Sequence, residues 1–171
     1  FSSALATGAL AQCQLLGLSD NKIGDAGITA FAQAIKPVSE GGSGALASVT
    51  RLELDSNQIG DAGMAAFSTA LASGALAQCT RLDLGFNQFG DAGMKAFSGA
   101  LVTGALASAT DLGLSGNQIG DAGMQAFSTA LAGGAMASLE ALYVDDGPLG
   151  TNYPALKAVC EARGIDRNPN R

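Results

Sequence analysis

Ile59-Gly-Asp-Ala-Gly63 is one of four copies of a five-residue motif that recurs along the chain in a constant setting. The other copies start at Ile23, Phe89 and Ile119, and an asparagine lies two residues before each copy: Asn21, Asn57, Asn87 and Asn117. These asparagines are separated by 36, 30 and 30 residues. A fixed period of this length is typical of a stacked repeat protein, in which each unit packs against its neighbours. Such stacks present long surfaces, so we expect this chain to bind other macromolecules.

Each repeat predicts one short strand and one helix, as the third copy illustrates. Before its motif, polar and apolar residues alternate, so Leu82 and Leu84 share one face of a half-buried strand. After the motif, Met94, Phe97 and Leu101 recur at i, i+3 and i+7, which places them on one face of a helix. The other copies keep these apolar positions. Both elements therefore bury one apolar face against the adjoining repeat.

The ends of the helices carry residues that commonly occupy those positions. An aspartate of the motif precedes each helix, and its carboxylate can accept the free N–H groups of the first turn as an N-cap. These residues are Asp25, Asp61, Asp91 and Asp121. Gly104 lies where the third helix should end. Strands that each start a right-handed unit of ~30 residues stack in parallel, so we predict an α/β solenoid with strands on the concave face and helices on the convex face.

The pattern Leu52-x-Leu54-x-x-Asn57-x-Ile59-Gly-Asp-x-Gly63, followed by a helix rich in Ala, Phe and Leu, resembles the leucine-rich repeat of the ribonuclease-inhibitor type. Cytosolic NOD-like receptors and Ran GTPase-activating proteins carry similar repeats. The resemblance covers about residues 1–147, with four Asn-bearing copies and an incomplete N-terminal copy, since Phe1 falls inside a repeat. It implies that Asn21, Asn57, Asn87 and Asn117 lie inside the turns and hydrogen-bond backbone groups of adjacent repeats.

Two segments depart from the repeat pattern. The first repeat carries six extra residues at about 37–42, where Pro and Gly predict a loop after the helix. At the C-terminal end the motif is absent, and Pro154 opens a helical pattern that ends at Gly164. Because a stack must end in a more polar element, we interpret residues 148–171 as a C-terminal cap.

Composition excludes several classes of partner. Charged residues make up 14% of the 171 residues, and the formal net charge is −6. This argues against a nucleic-acid partner, because nucleic-acid binding requires clustered Lys and Arg. No apolar run reaches the ~18 residues of a membrane span, so we predict no direct span.

Three cysteines indicate the redox environment. Cys13 and Cys79 occupy the same repeat position two repeats apart, where other copies hold apolar residues. Positions two repeats apart exceed the ~7 Å Cα separation that a disulfide allows. We therefore expect Cys13, Cys79 and Cys160 to be buried, unpaired thiols. Unpaired thiols favour a reducing compartment, which predicts an intracellular location in the cytoplasm or an organelle interior.

The chemistry of the chain does not favour catalysis. It contains no histidine, the commonest general base and metal ligand. Cys-x-x-Cys and phosphate-binding Gly-Lys loops are absent, and the repeated motif lacks the alternating oxygen ligands of a Ca²⁺ loop. We therefore predict a protein that is not an enzyme, with no catalytic residues, cofactor or metal.

The polar positions of the predicted strands form columns across the concave face, with same-column residues ~4.8 Å apart. Arg51 and Arg81 can pair with Glu53, Asp83 and Asp111 in these columns. Aromatic side chains within a charged surround suit a protein-binding patch. The predicted partner-binding residues are Arg51, Glu53, Asp55, Arg81, Asp83, Phe86, Asp111, Tyr143, Asp145 and Asp146. The alternative is a solvated face whose charges only keep the sheet soluble.

The predicted outer helix faces suggest a second function. Lys95 is the only charge in the later helices apart from the motif aspartate. The positions expected to face solvent carry small or neutral residues: Ala65, Ser68, Thr69, Ser73, Gln125, Ser128 and Thr129. Such residues let another surface approach closely, although composition drift explains them as well. Our main interpretation is a protein-interaction scaffold. The alternatives are a structural subunit of a larger assembly, held by its convex helices and cap, and a regulatory or sensor module allowed by the resemblance.

Overall fold

The computed structural model describes residues 10–145 and 153–169. Within these residues strands and helices alternate along the chain. The strands are β1 Leu15–Gly17, β2 Arg51–Glu53, β3 Arg81–Asp83, β4 Asp111–Gly113, β5 Ala141–Tyr143 and β6 Asp166–Arg167. The helices are α1 Asp25–Ile35, α2 Asp61–Ala72, α3 Asp91–Val102, α4 Asp121–Ala132 and α5 Pro154–Arg163.

The strands form one parallel sheet in the order of the chain, from β1 to β6. Equivalent residues of successive repeats are paired: Arg51 lies beside Arg81, and Arg81 beside Asp111. Each helix packs against the helices of the neighbouring repeats. The predicted α/β solenoid of parallel strands and outer helices is therefore confirmed.

The core is a layer between the sheet and the helices. Strand leucines such as Leu82 and Leu84 are fully buried, as are Met94, Phe97 and Leu101 on the inner face of α3. The phenylalanines of successive helices occupy equivalent positions along this layer: Phe31, Phe67, Phe97 and Phe127. Every repeat therefore contributes apolar area that only its neighbours can cover, which explains why the repeats must stack to be stable.

The expectation that each motif aspartate caps its own helix is wrong. The helices start at the aspartate itself, the N-cap position is the preceding glycine, and that cap has no side-chain hydrogen bond. Instead, the Asp25 Oδ1 atom accepts hydrogen bonds from the N–H groups of Gly60 and Gly63 in the next repeat, at 2.7 and 3.0 Å. In the same way, Asp61 accepts from Gly90 and Gly93, and Asp91 accepts from Gly120 and Gly123, each in the following repeat. Asp121 is exposed to solvent.

This contact explains the glycines of the motif. A Cβ atom at Gly63 would lie 2.6 Å from Asp25 Oδ1 and 2.5 Å from an Ile28 methyl group. A Cβ atom at Gly60 would lie 3.2 Å from the same carboxylate oxygen. Each glycine thus leaves room for the carboxylate of the preceding repeat. The aspartate and glycines of one motif therefore act across the boundary between two repeats.

The motif asparagines make hydrogen bonds whose number depends on their place in the stack. Asn57 Oδ1 accepts from Asn21 N and Ile23 N, while its amide nitrogen lies 2.9 Å from Leu18 O of the preceding repeat. Asn87 is similarly enclosed. At the N-terminal side, Asn21 is exposed, and its amide donates to Ser19 O.

Asn117 is less completely bonded than the two buried asparagines. Its amide donates to Leu84 O and Leu114 O, both at 2.9 Å. Its Oδ1 atom is buried and has no hydrogen-bond partner within residues 10–145 and 153–169. The four asparagines therefore do not share one bonding pattern.

The inserted segment contains a 3₁₀ turn, Val38–Glu40, so it is more ordered than the predicted loop. Gly41 follows with a φ of 78°, and its N–H donates to Val38 O. The turn forms because Pro37 fixes an extended entry and glycine permits the left-handed exit.

The C-terminal segment continues the stack. Helix α5 begins at Pro154 and ends at Gly164, whose φ is 68°. A short strand that the sequence did not predict, β6, then pairs with β5. The Arg163 guanidinium donates to the carbonyls of Leu131 and Ala135, which anchors α5 to the end of α4. Residues 146–152, where the cap was expected to begin, lie outside the described residues.

Candidate functional site

The polar strand residues converge on the concave face of the sheet. Most of the predicted partner-binding residues lie there half-buried, and Phe86 is exposed. Asp146 lies outside the described residues. Tyr143 and Asp145 come from the end of β5, one strand away from the β4 residues Asp111 and Gly113. The sheet therefore brings residues of four repeats to one surface.

Of the two arginines on the concave face, one forms an ion pair and the other does not. Arg51 Nε donates to Glu53 Oε1 at 2.8 Å within the same strand. The expected pairing of Arg81 with Asp83 or Asp111 is wrong: Arg81 forms no ion pair within the described part of the chain. Asp83 has one methylene fewer than Glu53, and its Oδ1 atom instead accepts the Gly85 N–H at 3.0 Å. The Asp111 carboxylate accepts the neighbouring Thr110 hydroxyl at 2.7 Å.

A concave cavity of about 360 Å³ lies at the centre of this face. It is bordered by charged, aromatic and small residues: Asp55, Arg81, Asp83, Gly85, Phe86, Gly113, Ser115, Tyr143, Asp145 and Asn168. Sequence reasoning missed the small residues and Asn168. The sequence did contain a signal for the small residues, because Gly85 and Gly113 each follow an aspartate at the equivalent position of the preceding repeat.

The cavity depends on two glycines in the fourth repeat. The Asp83 carboxylate lies over Gly113, where a Cβ atom would be 2.4 Å from Oδ1. The Phe86 ring lies over Gly116, where a Cβ atom would be 2.5 Å from the ring. Both side chains therefore occupy space that any other residue would fill.

The remaining carboxylates of the cavity are held by neutral donors. Asp55 accepts hydrogen bonds from the hydroxyls of Ser19 and Ser56. Asp145 Oδ2 accepts the Gly116 N–H at 2.6 Å. These contacts orient the carboxylates without neutralising their charge.

The outer face differs from its prediction at two positions. Ser68 and Ser128, expected to face solvent, are 3% and 2% exposed because they lie between neighbouring helices. Ser128 Oγ also donates to Met124 O at 2.7 Å within its own helix. Ser73 is half-buried. The other four predicted positions are exposed as expected: Ala65, Thr69, Gln125 and Thr129.

A groove of about 810 Å³ runs along the outer side of α3 and α4. Its border includes Lys95, Gly99, Gln125, Thr129 and Val102, whose side chain is 69% exposed. The groove is mostly bordered by Ala and Gly, so its walls lie close to the helix backbones. It is separate from the concave face.

The three thiols are all unpaired. Cys79 and Cys160 are buried, but Cys13 is half-buried, so the expectation that all three are buried is wrong. Cys13 belongs to the first described repeat, which has a described neighbour on one side only. Burial raises the pKa of the Cys79 thiol to about 11.

Neither a membrane-spanning helix nor a metal-binding cluster occurs in the described part of the chain. Among residues 10–145 and 153–169, no helix has the length and apolar character needed to cross a membrane. The same residues contain no group of three or more His, Cys, Asp or Glu side chains arranged to hold a metal ion.

The fold and its concave sheet define a solenoid repeat protein. The family model for the Leucine Rich repeat matches residues 15–32, 45–68, 80–98 and 110–128. A solved structure, Leiomodin-1 Actin-Binding Site 2 (ABS2), is similar with a TM-score of 0.71 and 16% sequence identity, over 95% of this chain and 86% of that chain. No curated protein matches the sequence. The chain therefore carries leucine-rich repeats at these residues and has the α/β fold of a leucine-rich repeat solenoid.

Proposed function

We propose that this chain is a non-enzymatic protein-interaction scaffold and that its concave face is the binding surface. The observation that carries the proposal is the Phe86 side chain, which is 65% exposed at the mouth of the cavity. Exposed aromatic side chains beside charged groups are typical of the anchors that protein partners cover.

The backbone of Phe86 strengthens this interpretation. Its φ is 51°, in the left-handed region that costs a residue with a side chain about 1–2 kcal/mol. The equivalent positions of other repeats hold Asp20, Ser56 and Gly116, which are small or polar. A large apolar ring at this position is both strained and exposed to water. Neither property helps folding, so the ring favours a role in binding.

The comparisons are consistent with this proposal at the level of fold. Leiomodin-1 Actin-Binding Site 2 is named for its binding of a protein, actin. At 16% identity the likeness concerns the fold and does not carry the partner to this chain.

The repeat of 30 residues, with one strand and one helix, supports our proposal that the repeats are of the ribonuclease-inhibitor type. The unpaired thiols support the proposal of an intracellular location.

A binding experiment tests the concave face. Partners captured by the wild-type protein are identified by mass spectrometry and compared with those of Phe86→Ala, Tyr143→Ala and Asp145→Lys. We expect the concave variants to lose a shared partner, because aromatic anchors and nearby charges control affinity. Thr129→Glu is the control, since Thr129 is exposed on the opposite face. Circular dichroism must show that every variant is folded. Unchanged capture by all three concave variants would contradict the proposal.

A second candidate function is that of a structural subunit held by its outer helices. The observation that favours it is the groove along α3 and α4 with the exposed Val102. In this case Thr129→Glu and Ala65→Glu would prevent assembly, because a charge would be desolvated in a close contact. The concave variants would then have little effect. Sedimentation of the native complex with each variant distinguishes the two functions. Nothing in the site favours the regulatory or sensor alternative over these two.

A further inference from the structure

The charges around the concave cavity do not balance. Asp55, Asp83 and Asp145 border it, and among residues 10–145 and 153–169 the only cation on its border is Arg81. Arg51, the other arginine of the face, is held by Glu53. The hydrogen bonds of the three carboxylates come from neutral hydroxyl and backbone N–H donors. None of these bonds pairs a carboxylate with a cation, and each carboxylate has spare acceptor capacity.

Two aromatic rings share this space. The ring of Phe86 is supported on one side by Gly116, and 65% of the residue is exposed. Tyr143 borders the same cavity and is half-buried. A cation placed over an aromatic face is attracted by the ring, and arginine forms such contacts more often than lysine. A planar guanidinium can also stack on a ring while it donates two hydrogen bonds to a carboxylate.

We propose that the cavity binds an arginine side chain presented by a protein partner. The proposal rests on the proposed function of the concave face and names the chemistry of its occupant. The guanidinium stacks on Phe86 and donates to the carboxylates of Asp83 and Asp145. Charge complementarity selects this occupant, because three carboxylates face one arginine and the whole chain has a net charge of −6.

Arg81 has an opposing effect in this arrangement. It borders the same cavity, and it forms no ion pair within the described part of the chain. A second cation that enters the cavity is repelled by it. Removal of the Arg81 charge should therefore strengthen binding of an arginine, whereas removal of an aspartate charge should weaken it. Opposite signs for two neighbouring substitutions are not expected for a cavity that binds by apolar contact alone.

The test uses two synthetic peptides that differ in one atom group. The first is acetyl-Gly-Ser-Arg-Ser-Gly-amide, and the second has citrulline, the neutral isostere of arginine, in place of arginine. Each peptide is titrated into ¹⁵N-labelled protein, and the amide shifts of Gly85, Phe86, Gly113 and Gly116 are followed by NMR. We expect these amides to shift with the arginine peptide and not with the citrulline peptide. Added salt should weaken the binding.

Matched variants locate the contact. Asp83→Asn and Asp145→Asn keep the acceptor oxygen but lose the charge, so each should weaken binding of the arginine peptide several-fold. Phe86→Leu keeps an apolar side chain but loses the ring face, and should weaken binding by about two- to fivefold. Arg81→Gln should strengthen it. The control is Glu40→Gln, which makes the same charge change as the aspartate variants in the exposed turn Val38–Glu40.

Three results overturn the proposal: equal shifts with citrulline, equal effects of Asp83→Asn and Glu40→Gln, or no binding of the arginine peptide. The proposed function has a separate outcome. If a partner is lost on Phe86→Ala while the arginine peptide does not bind, the concave scaffold stands and the arginine assignment fails. If the peptide binds but partner capture depends only on Thr129→Glu, the arginine site stands and the concave scaffold fails.

Discussion

The Asp61 carboxylate accepts a 2.7 Å hydrogen bond from the backbone N–H of Gly90, which belongs to the following repeat. The same oxygen accepts the Gly93 N–H at 2.7 Å. These donors lie at the start of helix α3, where backbone N–H groups lack partners within the helix. A negative charge there also interacts favourably with the helix dipole. The starts of α2, α3 and α4 are therefore completed by the preceding repeat, which makes these contacts part of the interface between repeats.

Asp61→Ala should lower the free energy of unfolding by about 1–2 kcal/mol, because two N–H groups lose their acceptor. Asp61→Asn should lower it less, because the Oδ1 acceptor remains and only the charge is lost. Urea denaturation followed by circular dichroism measures both. If Asp61→Ala leaves the midpoint unchanged, the contact with Gly90 does not contribute to stability.

Asn87→Ala should lower the free energy of unfolding by about 1–3 kcal/mol. The Asn87 amide nitrogen lies within 3.1 Å of three carbonyls, and its Oδ1 atom accepts the Ile59 N–H. Asn21→Ala is the matched control, since Asn21 is exposed and should cost much less. Asn117→Ala should fall between them, because Asn117 is half-buried and its amide donates to two carbonyls. Equal losses for Asn21→Ala and Asn87→Ala would show that burial does not set the cost.

The sequence predicted the fold well because the repeat multiplies a weak signal. One strand of three residues such as Arg81–Asp83 shows almost no periodicity alone, but the same pattern recurs in each copy. The two-residue strand Asp166–Arg167 has no such copy and was therefore missed. The partner of Asp61 was also unpredictable, because spacing alone does not show whether a side chain turns toward its own helix or the next. The burial of Ser128 had the same cause, since it depends on the packing of neighbouring helices.

For the candidate site, the sequence predicted which residues lie side by side on neighbouring strands but not which of them form bonds. Register follows from the repeat, so Arg81 was placed correctly beside Asp111. The pairing of charges depends on the reach of each side chain and on competing donors. Glu53 reaches Arg51, whereas Asp83 is held by the Gly85 N–H. Such competition is decided by the positions of the donors and acceptors in the folded chain, which a sequence does not encode in any simple pattern.

Cys79 should make stability depend on alkaline pH. Burial raises its pKa from 9.0 to about 11, so the folded state keeps a proton that the unfolded state releases. The contribution of the protonated Cys79 thiol to the free energy of unfolding is fully present below pH 9. It is lost as the pH rises toward 11, where the loss reaches about 2 kcal/mol. Denaturant midpoints of the wild type and of Cys79→Val, which copies Val49 of another repeat, measure the difference. Parallel pH profiles for the two proteins would disprove this role of Cys79.

Ser128→Glu should disrupt the fold, whereas Thr129→Glu should change stability by less than about 0.5 kcal/mol. Ser128 is 2% exposed, so a glutamate there would bury a charge between neighbouring helices. Thr129, one residue further on, is exposed. Thermal unfolding separates the two variants. A folded Ser128→Glu with an unchanged melting temperature would mean that these helices do not pack as closely as the structure shows.

Gly116→Ala should weaken partner binding and lower stability by about 1–2 kcal/mol. The φ of Gly116 is 73°, and left-handed backbone costs an alanine about 1–2 kcal/mol. The added methyl group would lie 2.5 Å from the Phe86 ring and would displace it from the cavity. Gly99→Ala is the matched control: it lies inside helix α3, and its added methyl group would have no atom within 4 Å apart from its own helix backbone and chain neighbours. That substitution should raise stability by about 0.5–1 kcal/mol and leave binding at the concave face unchanged. Denaturation and partner capture measure both variants, and equal binding by Gly116→Ala and the wild type would show that the position of the Phe86 ring does not matter.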